Sequence, residues 1–291
     1  MKFLLTLISC AAVIWSSAQV PSYYNNVDLT LTGTEMRDAL TAKLQSSTFI
    51  PYTSGQFDTW DALRLTDANP ENSQEVMLVY GWESGSDGDF TNDRTRGKYE
   101  NGNNAGDWNR EHVFPRSRAV PALVVDDPGP GTDFHNLRPC DVQFNTLRNN
   151  LKFIDSDGNA GTTDGGWYPG DEWKGDVARM VMYMYVRYNG NGSSSSETRC
   201  LPKETCIGTL NDQDPDMVDL LLEWNVEDPV SNAELIRNTI SLQYQNNRNP
   251  FVDNPALATV IWGGPEADDP WGLLEEEEEP GEFIFELDAL V

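Results

Sequence analysis

The sequence predicts one helix-rich α+β domain. Three observations point there. Apolar residues recur at helical spacing, most clearly Val177, Met180, Val181, Met184 and Tyr188. Runs that read as strands are few and short, at 76–80 and 109–114. The stretch between an N-terminal leader and an acidic end, 19–264, suits a single domain with a proper core and carries no internal repeat.

In chain order, Lys2, the apolar run Phe3 to Trp15 and the small Ser16-Ser17-Ala18 predict a secretory leader over 1–18. The run is too short to span a membrane. Cys10, in Leu7-Ile8-Ser9-Cys10, leaves a lipid anchor as the alternative. The mature chain is therefore expected to be secreted or periplasmic, without a membrane span, and a monomer. Thr32-Gly33-Thr34-Glu35 has the form of a capping box, and Met36, Leu40 and Leu44 continue it as a helix. Val76 to Tyr80 reads as a buried strand. Gly81 to Asn104, rich in Gly, Asp and Asn, reads as an irregular loop. Asn109 to Phe114 suits a strand and Cys140 to Asn150 a short helix. Asp176 to Tyr188 is a helix whose single apolar stripe belongs to the core. Asn189 to Ser196 is a linker. Ser231-Asn232-Ala233-Glu234 opens a further helix to about Asn246, and Pro255 to Trp262 forms a last short one. The end, 265–291, is an acidic tail in which Glu275 to Glu279 is a solvated run.

The net charge of -27 is unusual for a chain that would bind phosphates, which calls for cations. The charge is unevenly spread. Arg94, Arg96, Lys98, Arg110, Arg116 and Arg118 fall close together, and Arg138, Arg148, Lys152, Lys174, Arg179 and Arg187 follow. A local basic surface on an acidic body is one reading, and pairing of these cations with the abundant acids is the other. Of the cysteines outside the leader, Cys200 and Cys206 could close a small loop in an exported protein, which leaves Cys140 as a buried free thiol.

The chemistry concentrates in Trp108-Asn109-Arg110-Glu111-His112-Val113-Phe114-Pro115-Arg116-Ser117. The chain has only two histidines, His112 and His135. Neutral imidazole is the natural base near neutral pH. Mg²⁺ takes oxygen ligands, keeps several waters and often uses only one or two protein side chains. Glu111 and an Asn carbonyl would serve. Adjacent residues point to opposite faces of a regular strand, so a shared role for Glu111 and His112 calls for a bend or bulge at the strand end. No Cys-x-x-Cys pair, Gly-rich phosphate loop or Gly-x-Ser-x-Gly elbow is present, which argues against a zinc finger, an NTPase and a serine hydrolase.

Several blocks follow one another in order: Tyr23-Tyr24, the Arg-Glu-His-Val run, Asp133-x-His135-Asn136-Leu137-x-Pro139, Asn145-x-x-Arg148-x-Asn150, Lys174 to Arg179 and Asn247 to Asp253. Together they resemble the endonuclease I family of secreted, non-specific nucleases, which carry a ββα-metal (His-Me) finger. One departure is Asn254-Pro255, where the family often has His-Pro. The resemblance implies that His112 is the general base and Glu111 a metal ligand. An asparagine of the finger helix completes the set, placed by register at Asn145, with Asn149 and Asn150 as alternatives. Arg110, Arg116 and Arg148 are candidates for phosphate contact. His135 and Asn150 are assigned to support of the site, the alternative for His135 being a direct catalytic role. The implied function is that of a secreted Mg²⁺-dependent endonuclease. It would cut DNA, and RNA as an open alternative, with little sequence preference, and Mn²⁺ or Ca²⁺ could substitute for metal binding. The rival reading is a secreted acidic calcium-binding adhesion or matrix protein with an inactive finger. That protein would use Asp155-Ser156-Asp157-Gly158-Asn159 and the Asp87 to Asp93 loop.

Overall fold

The structure, a computed structural model, describes residues 19–85, 87–190 and 197–274. The leader, the run 191–196 and the glutamate run from 275 lie outside the described residues. In chain order the elements are α1 (Gly33–Leu44), α2 (Thr59–Thr66), β1 (Glu75–Met77), β2 (Thr95–Gly97), β3 (Trp108–His112), β4 (Leu137–Asp141) and α3 (Val142–Arg148). After these come β5 (Gly161–Thr163), β6 (Gly166–Tyr168), α4 (Lys174–Arg187), α5 (Pro202–Thr205), α6 (Asp219–Glu227), α7 (Asn232–Gln245), α8 (Pro250–Asp253) and α9 (Ala256–Trp262). Among the described residues the strands pair with one another as antiparallel ribbons, β1 with β2, β3 with β4 and β5 with β6. The α+β, helix-rich reading holds.

Helix α4 is the axis of the core. The sequence suggested one apolar stripe, yet every residue from Gly175 to Arg187 is buried. The reason is that α1, α6, α8 and the turn at 134–136 pack around it on all sides. Its polar residues are therefore buried too, and each has partners. Arg179 bonds both carboxylate oxygens of Glu234 at 2.6 and 2.8 Å, and Arg187 lies 3.1 Å from Asp133. Charges can be buried at tolerable cost only with such partners. Arg179 is thus a structural ion pair.

The second capping box forms as read: Ser231 accepts from the Glu234 amide at 3.2 Å, and the Glu234 carboxylate accepts from the Ser231 amide at 2.9 Å. The first does not. Helix α1 begins after Thr32, but that side chain makes no capping bond, and Gly33 enters the helix at φ +54. The strand read at 76–80 stops at Met77. Beyond it the Leu78 amide bonds the Arg94 carbonyl and the Val79 amide the Pro139 carbonyl, so the ladder splits between two partners. Tyr80 then turns the chain at φ +74. The loop read at 81–104 contains β2, which pairs with β1 through Thr95, Arg96 and Gly97.

Cys200 and Cys206 are both buried and unbonded, separated by α5, and Cys140 is likewise a buried free thiol. From 265 to 274 the chain stays on the body. Ala267 and Trp271 are buried, and the Trp271 ring packs 5.0 Å from Tyr24. Asn254, the departure from His-Pro, holds this segment by donating to Asp269 at 3.0 Å. Among the described residues no helix is long and apolar enough to cross a membrane.

Candidate active site

Strands β3 and β4 pair without a break from Trp108 opposite Asp141 to His112 opposite Leu137, and α3 follows β4 and packs on both. The result is a ββα unit. The ladder contains no bulge at Glu111 or His112. Alternation therefore sends the two side chains to opposite faces, and their partners differ accordingly. Both still line one cleft of about 360 Å³, at the end of the ribbon where His112 is the last residue of β3. Arg110, Arg116, Ser117, Asn145 and Asn150 also line it.

His112 is 8% exposed. Its Nε2 lies 2.8 Å from the Gly131 carbonyl oxygen. A carbonyl only accepts, so Nε2 carries the hydrogen and Nδ1 keeps the free lone pair. The imidazole stacks on Tyr52 at 5.7 Å between centroids. Burial pushes its pKa down to about 4; the Gly131 carbonyl opposes that shift and Arg116 adds to it. The ring is therefore neutral at neutral pH, as a base must be.

Glu111 is 2% exposed. Its Oε1 accepts from the Tyr80 hydroxyl at 3.1 Å and lies 3.3 Å from Arg148. Burial raises the carboxyl to about 7 against the pull of Arg148. A carboxylate so short of compensating charge suits a cation. Asn145 donates its amide nitrogen to Asn109 at 2.7 Å, which leaves its side-chain carbonyl oxygen for the cleft. The donor set is thus one buried carboxylate and one amide oxygen, with open volume for water, and it fits a hard cation. Among the described residues no three His, Cys, Asp or Glu side chains converge as a metal cluster. At the Asp155 to Asn159 turn, Asp155 accepts from Trp224 and the Gly158 amide bonds Asp171, so the turn is tied to its neighbours.

The other predicted residues divide. Arg116 is exposed at the cleft, with Nε bonded to the Leu123 carbonyl at 2.9 Å. Asn150 lines the cleft and donates to Ser117 at 3.1 Å. Arg148, read as a phosphate contact, is 0% exposed; it bonds the His112 and Val113 carbonyls and pairs with Glu111. It clamps the strand end and cannot meet a phosphate at the surface. Arg110 is stacked between Tyr52 and Trp60, 3.4 and 3.9 Å from the ring centroids, and bonds the Tyr52 carbonyl. Its main contacts are structural although it borders the cleft. His135 lies elsewhere, buried against Tyr183 with Nε2 3.5 Å from the Asn247 carbonyl.

Sequence reasoning missed Tyr52, Tyr80, Asn109 and Gly131. Tyr80 carried a usable signal, a bulky residue directly before Gly81, though not its positive φ. The others come from loops whose approach to β3 no local pattern encodes.

The model of the family described as Endonuclease I matches residues 32–256. The chain belongs to the endonuclease I family. It is a nuclease, a phosphodiester hydrolase, by that membership. It is similar to proteins named extracellular ribonuclease from two bacilli. Against that of Bacillus amyloliquefaciens it is 39% identical over 261 residues, 87% of this chain and 82% of the relative. Against that of Bacillus subtilis (strain 168) it is 38% identical over 265 residues, 88% of this chain and 84% of the relative.

Proposed function

We propose that this endonuclease I family member is a secreted, Mg²⁺-dependent endonuclease acting on RNA, and on DNA, with little sequence preference. The observation that carries the reading is the bond from His112 Nε2 to the Gly131 carbonyl, which leaves Nδ1 as a free base in the cleft that Glu111 and Asn145 line. RNA enters from the names of the two relatives and export from the word extracellular in them, together with the leader composition. The ββα unit of β3, β4 and α3 is then a ββα-metal finger.

In this scheme Nδ1 of His112 takes a proton from water as the water attacks phosphorus. Arg116, exposed at the rim, draws the phosphate in. Glu111 and Asn145 would hold Mg²⁺, which when bound supplies charge neutralisation at the phosphate and the leaving oxygen. Arg148 fixes Glu111 and the carbonyl of His112, and Asn109 fixes the amide of Asn145. The relevant test is cleavage of an RNA and a plasmid DNA with Mg²⁺, with Mn²⁺, with Ca²⁺, and after EDTA. The reading predicts cutting of both nucleic acids that stops with EDTA and returns with Mg²⁺. Full activity in EDTA would overturn the metal assignment, and cutting of DNA alone would overturn the substrate assignment.

A further inference from the structure

The acidic balance of the chain makes its unpaired cations informative. Most arginines read from sequence as a basic surface are engaged by acids: Arg94 by Glu172, Arg96 by Asp141, Arg138 by Asp176, and likewise Lys174 by Glu227. Among the described residues, Lys43, Lys98, Arg110, Arg116, Arg118, Lys152 and Arg199 have no carboxylate within salt-bridge distance; of these seven, Arg116, Arg118, Lys152 and Arg199 gather about the 116–120 turn. These four are linked in space. Ser117 and Asn150 line the cleft, and Arg118 donates to the Asn150 carbonyl at 2.7 Å and to the Glu204 carbonyl at 2.9 Å. Lys152 bonds the carbonyl of Lys203, the residue before Glu204, at 2.6 Å. Arg199 is joined to the same turn through the reciprocal backbone pair with Val120, at 2.8 and 2.9 Å, and its side chain is exposed.

We propose that the substrate strand leaves the cleft over the 116–120 turn, with successive phosphates meeting Arg118, Lys152 and Arg199. This rests on the nuclease reading of the cleft and extends it to the path of the substrate. The chemistry is that of a phosphodiester backbone: Arg118 and Lys152 are held by carbonyls beside the cleft and Arg199 is exposed next to them, a local positive charge on an acidic chain. These cations engage phosphates beyond the scissile one, so they act on long substrates and not on a minimal ester.

The experiment compares Arg199→Ala, Arg118→Lys and Arg118→Ala with the parent protein. Two substrates are used: a 20-nucleotide single-stranded RNA, and thymidine 3′,5′-bis(p-nitrophenyl phosphate). Lys43→Ala is the control, a lysine over the Tyr23 ring and away from the cleft. Removing one cation that meets a phosphate should lower the log-log salt slope of RNA binding by about 0.7. Arg199→Ala should therefore show a shallower slope and a several-fold higher KM on the 20-mer, with unchanged turnover of the small ester. Arg118→Lys keeps the charge and should stay near the parent, whereas Arg118→Ala should reduce the slope. An Arg199→Ala protein with the parental slope and KM on the 20-mer would overturn the path. A parent protein inert on both substrates would instead count against the nuclease reading, so the two failures are distinguishable.

Discussion

Gly131 sets the tolerance around His112. A Cβ at this position would lie 1.9 Å from the Val124 carbonyl oxygen, so any side chain must displace backbone. That displacement moves the carbonyl that fixes the tautomer of His112. Gly131→Ala should lower kcat by tenfold or more, about 1.4 kcal/mol in the transition state, with KM for RNA little changed. Steady-state kinetics on a variant with parental circular dichroism check it, and an unchanged kcat would detach Gly131 from the proposed role of His112. Arg148 is the second such residue. Removing one partner of a buried pair typically costs about 3–5 kcal/mol, and Arg148→Met also strips two carbonyls at 112 and 113 of their donor. Urea unfolding should show that loss; a cost below about 1 kcal/mol would mean that the pair is dispensable. For the metal, Asn145→Ala should raise the Mg²⁺ concentration giving half activity, and Asn109→Ala should do so less, since it loosens Asn145 without removing an oxygen donor. Equal titrations for Asn145→Ala and the parent, with a shift at Asn149→Ala or Asn150→Ala, would reassign the ligand.

Among the elements, helix α7 does two things at once. Its capping Glu234 also holds Arg179 of α4, so the start of one helix is bolted to the middle of another. Ser231→Ala removes only the cap and should cost about 1 kcal/mol. The turn at 134–136 carries a pH-dependent contribution. Burial holds His135 down at about 4, with Asp133 opposing the shift. Its folded pKa lies below the ordinary value near 6.5, so its contribution to stability is present above about pH 6.5 and is lost as pH falls toward 4. The loss amounts to about 3 kcal/mol at most. Unfolding free energies at pH 7.5 and 4.5 should therefore fall further apart in the parent than in His135→Asn; equal pH dependence would remove His135 from the balance. Elements with their own signals were legible. Ser231 and Glu234 announced α7, and Met36, Leu40 and Leu44 placed α1 although Thr32 does not cap it. Strand β2 was not legible, because Thr95, Arg96 and Gly97 lie in a turn-rich stretch and become a strand only by pairing with β1.

At the scale of the whole molecule, the fate of each charge depends on long-range packing. Arg148 and Arg116 look alike in sequence, yet one is fully buried beside Glu111 and the other faces the cleft. The sequence therefore marked 108–117 and pointed to the family, but could not say which arginines are exposed at the cleft. It also suggested a bulge to bring Glu111 and His112 together. The fold does so differently, by ending β3 at His112 and bringing loops from 52, 80 and 131 against it. These loops make the cleft one unit, and its centre is the free Nδ1 of His112. The most direct test is the single-turnover rate of RNA cleavage by His112→Ala and the parent at pH 7.5 in saturating Mg²⁺, with RNA affinity measured separately. The account predicts a fall of about 10²–10⁴-fold in rate with affinity within about twofold. Retention of more than half the parental rate would contradict it.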